Sequence, residues 1–183
     1  MSIFTKIKEE FLVNWKTVMV GWGDAFQHLP LIAFDEIKEF AFERLESSDC
    51  TQSEEDAIIQ LLSKNQNEFD KREICDQLVT LSHFSNAKIT VEERKWRVAL
   101  LDLLLADIPS DPLYGTMALY EFWSEYNYPA DAPQIILELG DSSSAYGSDR
   151  LFQELLSIHK KWINTKRCGY CRLTFVVQIM IFE

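Results

Sequence analysis

The feature that most restricts this chain is the step at which its large apolar residues return. Phe4, Ile7, Phe11, Trp15, Val18, Met19 and Trp22 recur every three or four positions, the period of one helix face. The same step carries Ile37, Phe40, Ala41 and Leu45, then Ala57, Ile58, Leu61 and Leu62, then Phe69, Ile74, Leu78 and Leu81. Six glycines and five prolines in 183 residues are too few turn formers for a many-stranded sandwich. Apolar residues at 47% and aromatics at 13% are too much greasy surface for a disordered chain. The expected fold is all-α, a single-domain bundle of about seven helices. It should occupy residues 1–166, with 167–183 as a C-terminal tail; the runner-up is a short α-solenoid of helix pairs.

Local signals place the breaks. Gly21 and Gly23 should end a first helix running from Phe4 to Trp22, through glycine's ease in left-handed geometry. Asp35 suits a second N-terminus, and Ser53 before Glu54, Glu55 and Asp56 suits a third. Thr90-Val91-Glu92-Glu93 reads as a capping box opening a helix over 91–106. Carrying Trp96, Ala99, Leu100, Leu101, Leu103 and Leu104, that helix is expected to be the central and most buried one. Asp111-Pro112 opens the next, whose apolar stripe carries Leu113, Met117, Tyr120, Trp123 and Tyr126. Residues 128–133 are expected to be extended, 134–139 a short helix or turn, and 140–148 a mobile loop. A last long helix should bury Phe152, Leu155, Leu156, His159, Trp162 and Ile163. The β-branched, apolar residues 173–183 fit a terminal strand, a docked helical extension or a segment foreign to the domain.

Charge narrows the partners. The net charge is −11, and residues 35–70 and 101–154 hold −8 and −9 of it, while 155–183 stand at +4. Two acidic blocks repel a phosphate backbone, so nucleic acid is not expected as a partner, whereas a basic protein would be steered in. The start Met1-Ser2-Ile3-Phe4 leads straight into Lys6, Lys8, Glu9 and Glu10 without a secretory signal, and no apolar run reaches ~20 residues. With four sparse cysteines, the expected setting is the cytoplasm, with reduced thiols and no membrane association.

Few residues suggest chemistry. Cys168-Gly169-Tyr170-Cys171 could chelate zinc or form a redox pair, with Lys166, Arg167 and Arg172 favouring the thiolate. A structural zinc site needs four ligands, and Cys50, Cys75 and His159 are the spare ones, at no recognisable spacing. His159 on an apolar helix face reads as a core residue, and no metal-protease helix, nucleophile elbow or phosphate loop occurs. Glu36, Glu39 and Glu43 share a helix face but alternate with Lys38 and Arg44, which suits a solvated surface better than acid–base catalysis by Glu36 and Glu43. No cofactor and no catalytic constellation is expected.

Asn14-Trp15-Lys16-Thr17 with Gly21-Trp22, Asp35-Glu36-Ile37 with Phe40-Ala41, and Phe122-Trp123 with Tyr128-Pro129 resemble a bacterial family known as a domain of unknown function. Its members are similar to immunity proteins encoded beside polymorphic toxins. The resemblance spans about residues 14–135, all packing-type motifs, and leaves out the tail from Lys166. It implies an all-α fold and an antitoxin-like role. The expected function is therefore a non-enzymatic interaction protein that binds a cognate toxin domain. Its partner-binding residues would be an acidic edge of Glu36, Glu39, Glu43, Glu46, Glu54 and Glu55 with an aromatic anchor at Trp123, Tyr126 and Tyr128. The alternative is a zinc-binding or thiol-redox protein using Cys168 and Cys171.

Overall fold

A computed structural model describes residues 2–23, 30–63, 71–133 and 148–180, with side chains up to Cys168. Among the described residues there are eight helices and no strand: α1 (Ile3–Glu10), α2 (Trp15–Trp22), α3 (Phe34–Leu45), α4 (Gln52–Leu62), α5 (Lys71–Ser82), α6 (Ile89–Ala106), α7 (Pro112–Glu125) and α8 (Asp149–Met180). The all-α class is as the apolar period predicts. The chain divides into two compact units, residues 1–97 and 98–183, with the division falling inside α6.

The extra helix arises where the sequence pattern looks continuous. The apolar step runs unbroken from Phe4 to Trp22, yet the backbone is extended at Phe11 and Asn14. Asn14 wins because its side chain offers the backbone a better bargain than another helical turn. Its Oδ1 accepts from the N–H groups of Lys16 (2.9 Å) and Thr17 (3.2 Å), while Thr17 Oγ1 accepts from Asn14 N–H at 3.0 Å. This reciprocal cap starts α2 afresh.

Other boundaries shift by a residue or two. Thr51 rather than Ser53 caps α4, and α3 begins at Phe34, with Glu36 reaching back to the Ala33 N–H at 2.8 Å. The α6 helix begins at Ile89, where the Lys88 carbonyl accepts from Val91 and Glu92, so Thr90 lies inside the first turn rather than before it. Asp111 caps α7 with Pro112 in the first turn, as expected.

In the first unit α2 packs on α5, and α4 lies against both α3 and α5. The pairing of α2 with α5, three helices further along the chain, is not the neighbour-on-neighbour stacking of a solenoid. Phe4 stacks on Trp96 with centroids 6.3 Å apart, and Trp15 meets Phe40 edge to face at 4.9 Å. Gly21 makes room for this core: a Cβ there would lie 2.1 Å from the Trp96 ring. It ends no helix by left-handed geometry, and Gly23, the C-cap of α2, is itself extended at φ −104°.

In the second unit α7 packs on α8. Trp123 meets Trp162 edge to face at 5.2 Å, with Phe122 against Trp123 at 5.1 Å. Gly115 plays the part of Gly21, since a Cβ there would sit 2.3 Å from the Phe152 ring. The α6 helix is buried through its middle, at Trp96, Val98, Ala99 and Leu101, but Leu103 is exposed, so the expected burial does not extend to its end. The backbone of α8 continues as helix to Met180, so the terminal-strand alternative for the tail is overturned. Phe69, the 134–139 turn, and the 140–148 loop up to residue 147 lie outside the described residues.

Candidate interaction surface

The proposed acidic edge survives only in part. Glu39 and Glu43 on α3 and Glu46 at its C-cap are exposed; Glu43 pairs with Lys8, and Glu36 is half-buried, accepting from Ser2 and Ala33. Glu55 is half-buried. Glu54 is no surface acid at all: it is 3% exposed, and its Oε1 accepts from the Trp15 indole N–H (2.7 Å) and Arg44 Nε (3.1 Å). The correction has a simple cause. Glu54 stands four and seven residues before Ile58 and Leu61, at the head of the stripe that faces the core.

A second buried acid escaped the sequence reading. Glu92, 1% exposed, accepts from Asn14 Nδ2 (3.2 Å), Thr17 Oγ1 (2.6 Å) and Lys95 Nζ (2.7 Å). Lys95, equally enclosed, also donates to the Leu12 carbonyl at 2.7 Å. Lys16 donates to the carbonyls of Ser85 (2.7 Å) and Ala87 (2.9 Å). All four side chains of Asn14-Trp15-Lys16-Thr17 therefore make a tertiary hydrogen bond. What looks like a packing motif is a polar hub fastening α2 to α4, α6 and the loop before α6. The hub opens on a cleft of about 220 Å³ lined by Asn14, Trp15, Arg44, Asp49, Glu54 and Asn86. Its charges are mutually engaged: Arg44 also donates to Asp49, whose carboxyl is held below its usual range by the Ser47 hydroxyl and then by Arg44. Glu54 and Asp49 in turn raise the Arg44 guanidinium above its ordinary value, against the effect of burial.

The aromatic anchor is redistributed. Trp123 is fully buried, so it is a core residue, and Tyr126 caps α7 half-buried with its ring 5.0 Å from Phe122. Trp123 Nε1–H donates to His159 Nε2 at 2.9 Å, while His159 Nδ1 lies 2.7 Å from the Leu155 carbonyl. Since one nitrogen accepts and the other faces a carbonyl, the ring is the neutral tautomer with its proton on Nδ1. Burial pushes His159 below the ordinary histidine range, with the Leu155 bond opposing. Trp162 donates to the Asp131 carbonyl, and Lys166 pairs with the Asp131 carboxylate at 3.2 Å.

What α7 leaves outside is larger than expected. Leu113 (44% exposed), Tyr114 (62%), Met117 (47%) and Tyr120 (50%) face solvent, with Tyr128 (44%) beside them. The buried side is instead Gly115, Thr116, Leu119, Phe122 and Trp123. The α7 helix is apolar on two faces, and the stripe expected from the sequence draws on both. Leu113, Met117, Tyr120 and Ser124 follow at steps of four, three and four, forming a single ridge; Tyr114, Glu121 and Glu125 run along its edge.

The turn after α7 folds Tyr128 back over this ridge. Asn127 N–H donates to Ser124 O (3.1 Å) and Tyr128 N–H to Trp123 O (3.0 Å), a Schellman ending with asparagine where glycine is usual. Both residues are left-handed, at φ 51° and 46°. For tyrosine that geometry costs about 1–3 kcal/mol. It brings the Tyr128 ring 5.5 Å from Tyr120 and its hydroxyl 3.3 Å from the Tyr120 carbonyl.

The thiols offer less. Cys168 is exposed on α8, and the Cys171 side chain lies outside the described residues. Lys166 and Arg167, expected to favour a thiolate, are ion-paired with Asp131 and, at 2.9 Å, with Asp102. Burial and then Glu54 push the Cys50 thiol up. Among the described residues no three His, Cys, Asp or Glu side chains gather where a metal would sit, and no helix is long and apolar enough to cross a membrane.

No curated protein and no solved structure matches the chain. A family model does, over residues 4–167, a span that takes in both the polar hub and α7 and stops before the apolar end of α8. The chain belongs to the DUF2247 family, described as uncharacterised proteins conserved in bacteria.

Proposed function

We propose that this protein acts by binding another protein rather than by catalysis, in the manner of an immunity protein that masks a cognate bacterial toxin. The observation that carries the reading is the exposed ridge of α7, where Leu113, Tyr114, Met117, Tyr120 and Tyr128 stand together in solvent. Scattered apolar residues need no explanation, but a contiguous set rimmed by acids suits a partner. The buried carboxylates support the same reading from the other side. Glu54 and Glu92 are paired with Arg44 and Lys95 and also accept from Trp15 and Thr17, an arrangement that suits holding a fold rather than moving protons. The net charge of −11 favours a basic partner and a fast, salt-sensitive encounter.

The test is to produce the protein together with the product of a toxin gene lying beside its own. Restored growth and an equimolar complex, associating more slowly as salt rises, are expected. Neighbouring genes that are all metabolic, or a toxic neighbour whose effect the protein leaves unchanged, would overturn the reading.

A further inference from the structure

We propose that the α7 ridge is the seat of one partner element, an amphipathic helix whose apolar stripe is bordered by lysine or arginine; this rests on the binding-protein reading above. The ridge from Leu113 to Ser124 is about 16 Å long at 1.5 Å per residue. That length accepts anchors at i, i+3 or i+4, and i+7 from a facing helix. Its side chains suit such anchors: methionine adapts to irregular shapes, and tyrosine offers area at little entropic cost.

The border supplies the sign. The α7 helix holds no lysine or arginine, Glu121 and Glu125 are exposed along the ridge, and exposed Asp111 closes its N-terminal end. A helix with basic flanks would place its charges over these acids while its stripe covers Met117 and Tyr120. Two competing occupants fit worse. A second copy of this chain, packed two-fold on the same face, would bring the Glu121–Glu125 edges together as like charges. An anionic lipid surface would meet the same acids. The left-handed turn at Asn127–Tyr128 gives the ridge its far wall, with Tyr128 held against Tyr120 where an unstrained chain would lead away.

The probe is a labelled synthetic leucine–lysine peptide with leucine at i, i+3, i+4 and i+7, titrated with the full chain and followed by fluorescence anisotropy. The protein should bind it, and bind a leucine–glutamate peptide of the same pattern far more weakly. Met117→Lys combined with Glu121→Lys should weaken binding about tenfold or more. Tyr114→Lys, at the most exposed site of the ridge, serves as an independent second variant and should weaken it too. Ile59→Lys, an exposed apolar residue on α4, should leave binding unchanged. Circular dichroism should show every variant as helical as the parent. Absence of peptide binding, binding indifferent to both α7 changes, or a self-association of the chain that Met117→Lys abolishes would each overturn the proposal. Toxin neutralisation that persists in both α7 variants would remove this surface while leaving the binding-protein reading in place; failure of the parent protein to neutralise would remove the reading itself.

Discussion

The two units solve the same packing problem with different materials. Each lets an aromatic ring onto a helix through one glycine, Gly21 under Trp96 and Gly115 under Phe152. Around that contact the first unit buries opposite charges, Glu92 with Lys95 and Glu54 with Arg44, and threads them through asparagine, threonine and tryptophan donors. The second unit buries a neutral cluster instead, Trp123, Trp162 and His159, and leaves its apolar surplus outside on α7. The difference teaches what each interior is good for. A buried ion pair fixes one register at the cost of stability, because any misplacement strands a charge. An aromatic cluster is more forgiving, and the helix above it is left able to present a second apolar face.

The largest expected effect strikes the first unit. Glu92→Ala should destabilise the protein by about 3–5 kcal/mol in urea denaturation, because it leaves the Lys95 ammonium enclosed without its counter-charge. Glu92→Leu with Lys95→Met should recover most of that loss; if the double variant is no better than the single one, the hub does not work through the ion pair. Next come the glycines. Gly21→Ala and Gly115→Ala should each cost about 1–3 kcal/mol by overpacking, read as a fall in Tm. A neutral Gly115→Ala would show that the second interior is loose where the first is tight.

A smaller effect separates the units by pH. His159 titrates below its unfolded value, so the unfolded chain binds the extra proton first. Its contribution is whole above about pH 6.5 and is lost as pH falls, by up to about 1.4 kcal/mol per pH unit until the folded ring itself protonates. Stability measured between about pH 7.5 and about pH 5 should show this slope, and His159→Gln should flatten it. A slope that persists unchanged in His159→Gln would place the acid sensitivity elsewhere. Smallest of all, Met117→Lys and Tyr114→Lys should alter stability by no more than about 0.5 kcal/mol, because these side chains stand in water. A larger fall would mean that α7 uses its outer face to hold the fold.

The helices were legible because their apolar step is strong, and α7 opened at Asp111-Pro112 as read. The break at Asn14 was harder, since a good capping residue inside an unbroken apolar stripe looks like a polar residue on a helix face. The decisive signal was Thr17, three residues on, able to return the bond. Glu54 and Glu92 carried a signal that net charge conceals. Each begins a stripe, Glu54 before Ile58 and Leu61, Glu92 before Trp96 and Ala99, so helical spacing alone puts them on the buried side. Taking residues 35–70 as one acidic block puts Glu54 at the surface. The exposed face of α7 was missed for the opposite reason. With Leu113, Met117, Tyr120 and Trp123 at plausible spacing, the sequence offers two apolar faces and no means of telling which one the glycine at 115 turns inward.

The bonds of Lys16 and Lys95 also divide the lysines by reactivity. Both amines are spent on carbonyl or carboxylate oxygens, Lys16 on Ser85 and Ala87, Lys95 on Leu12 and Glu92. An acylating reagent needs an amine it can reach, which Lys160 and Lys161, exposed on α8, provide. Mild acylation of the native protein should therefore mark exposed lysines such as Lys71, Lys88, Lys160 and Lys161 first and reach Lys16 and Lys95 only through opened molecules, so that the chain reports its own local unfolding in the order its lysines are labelled.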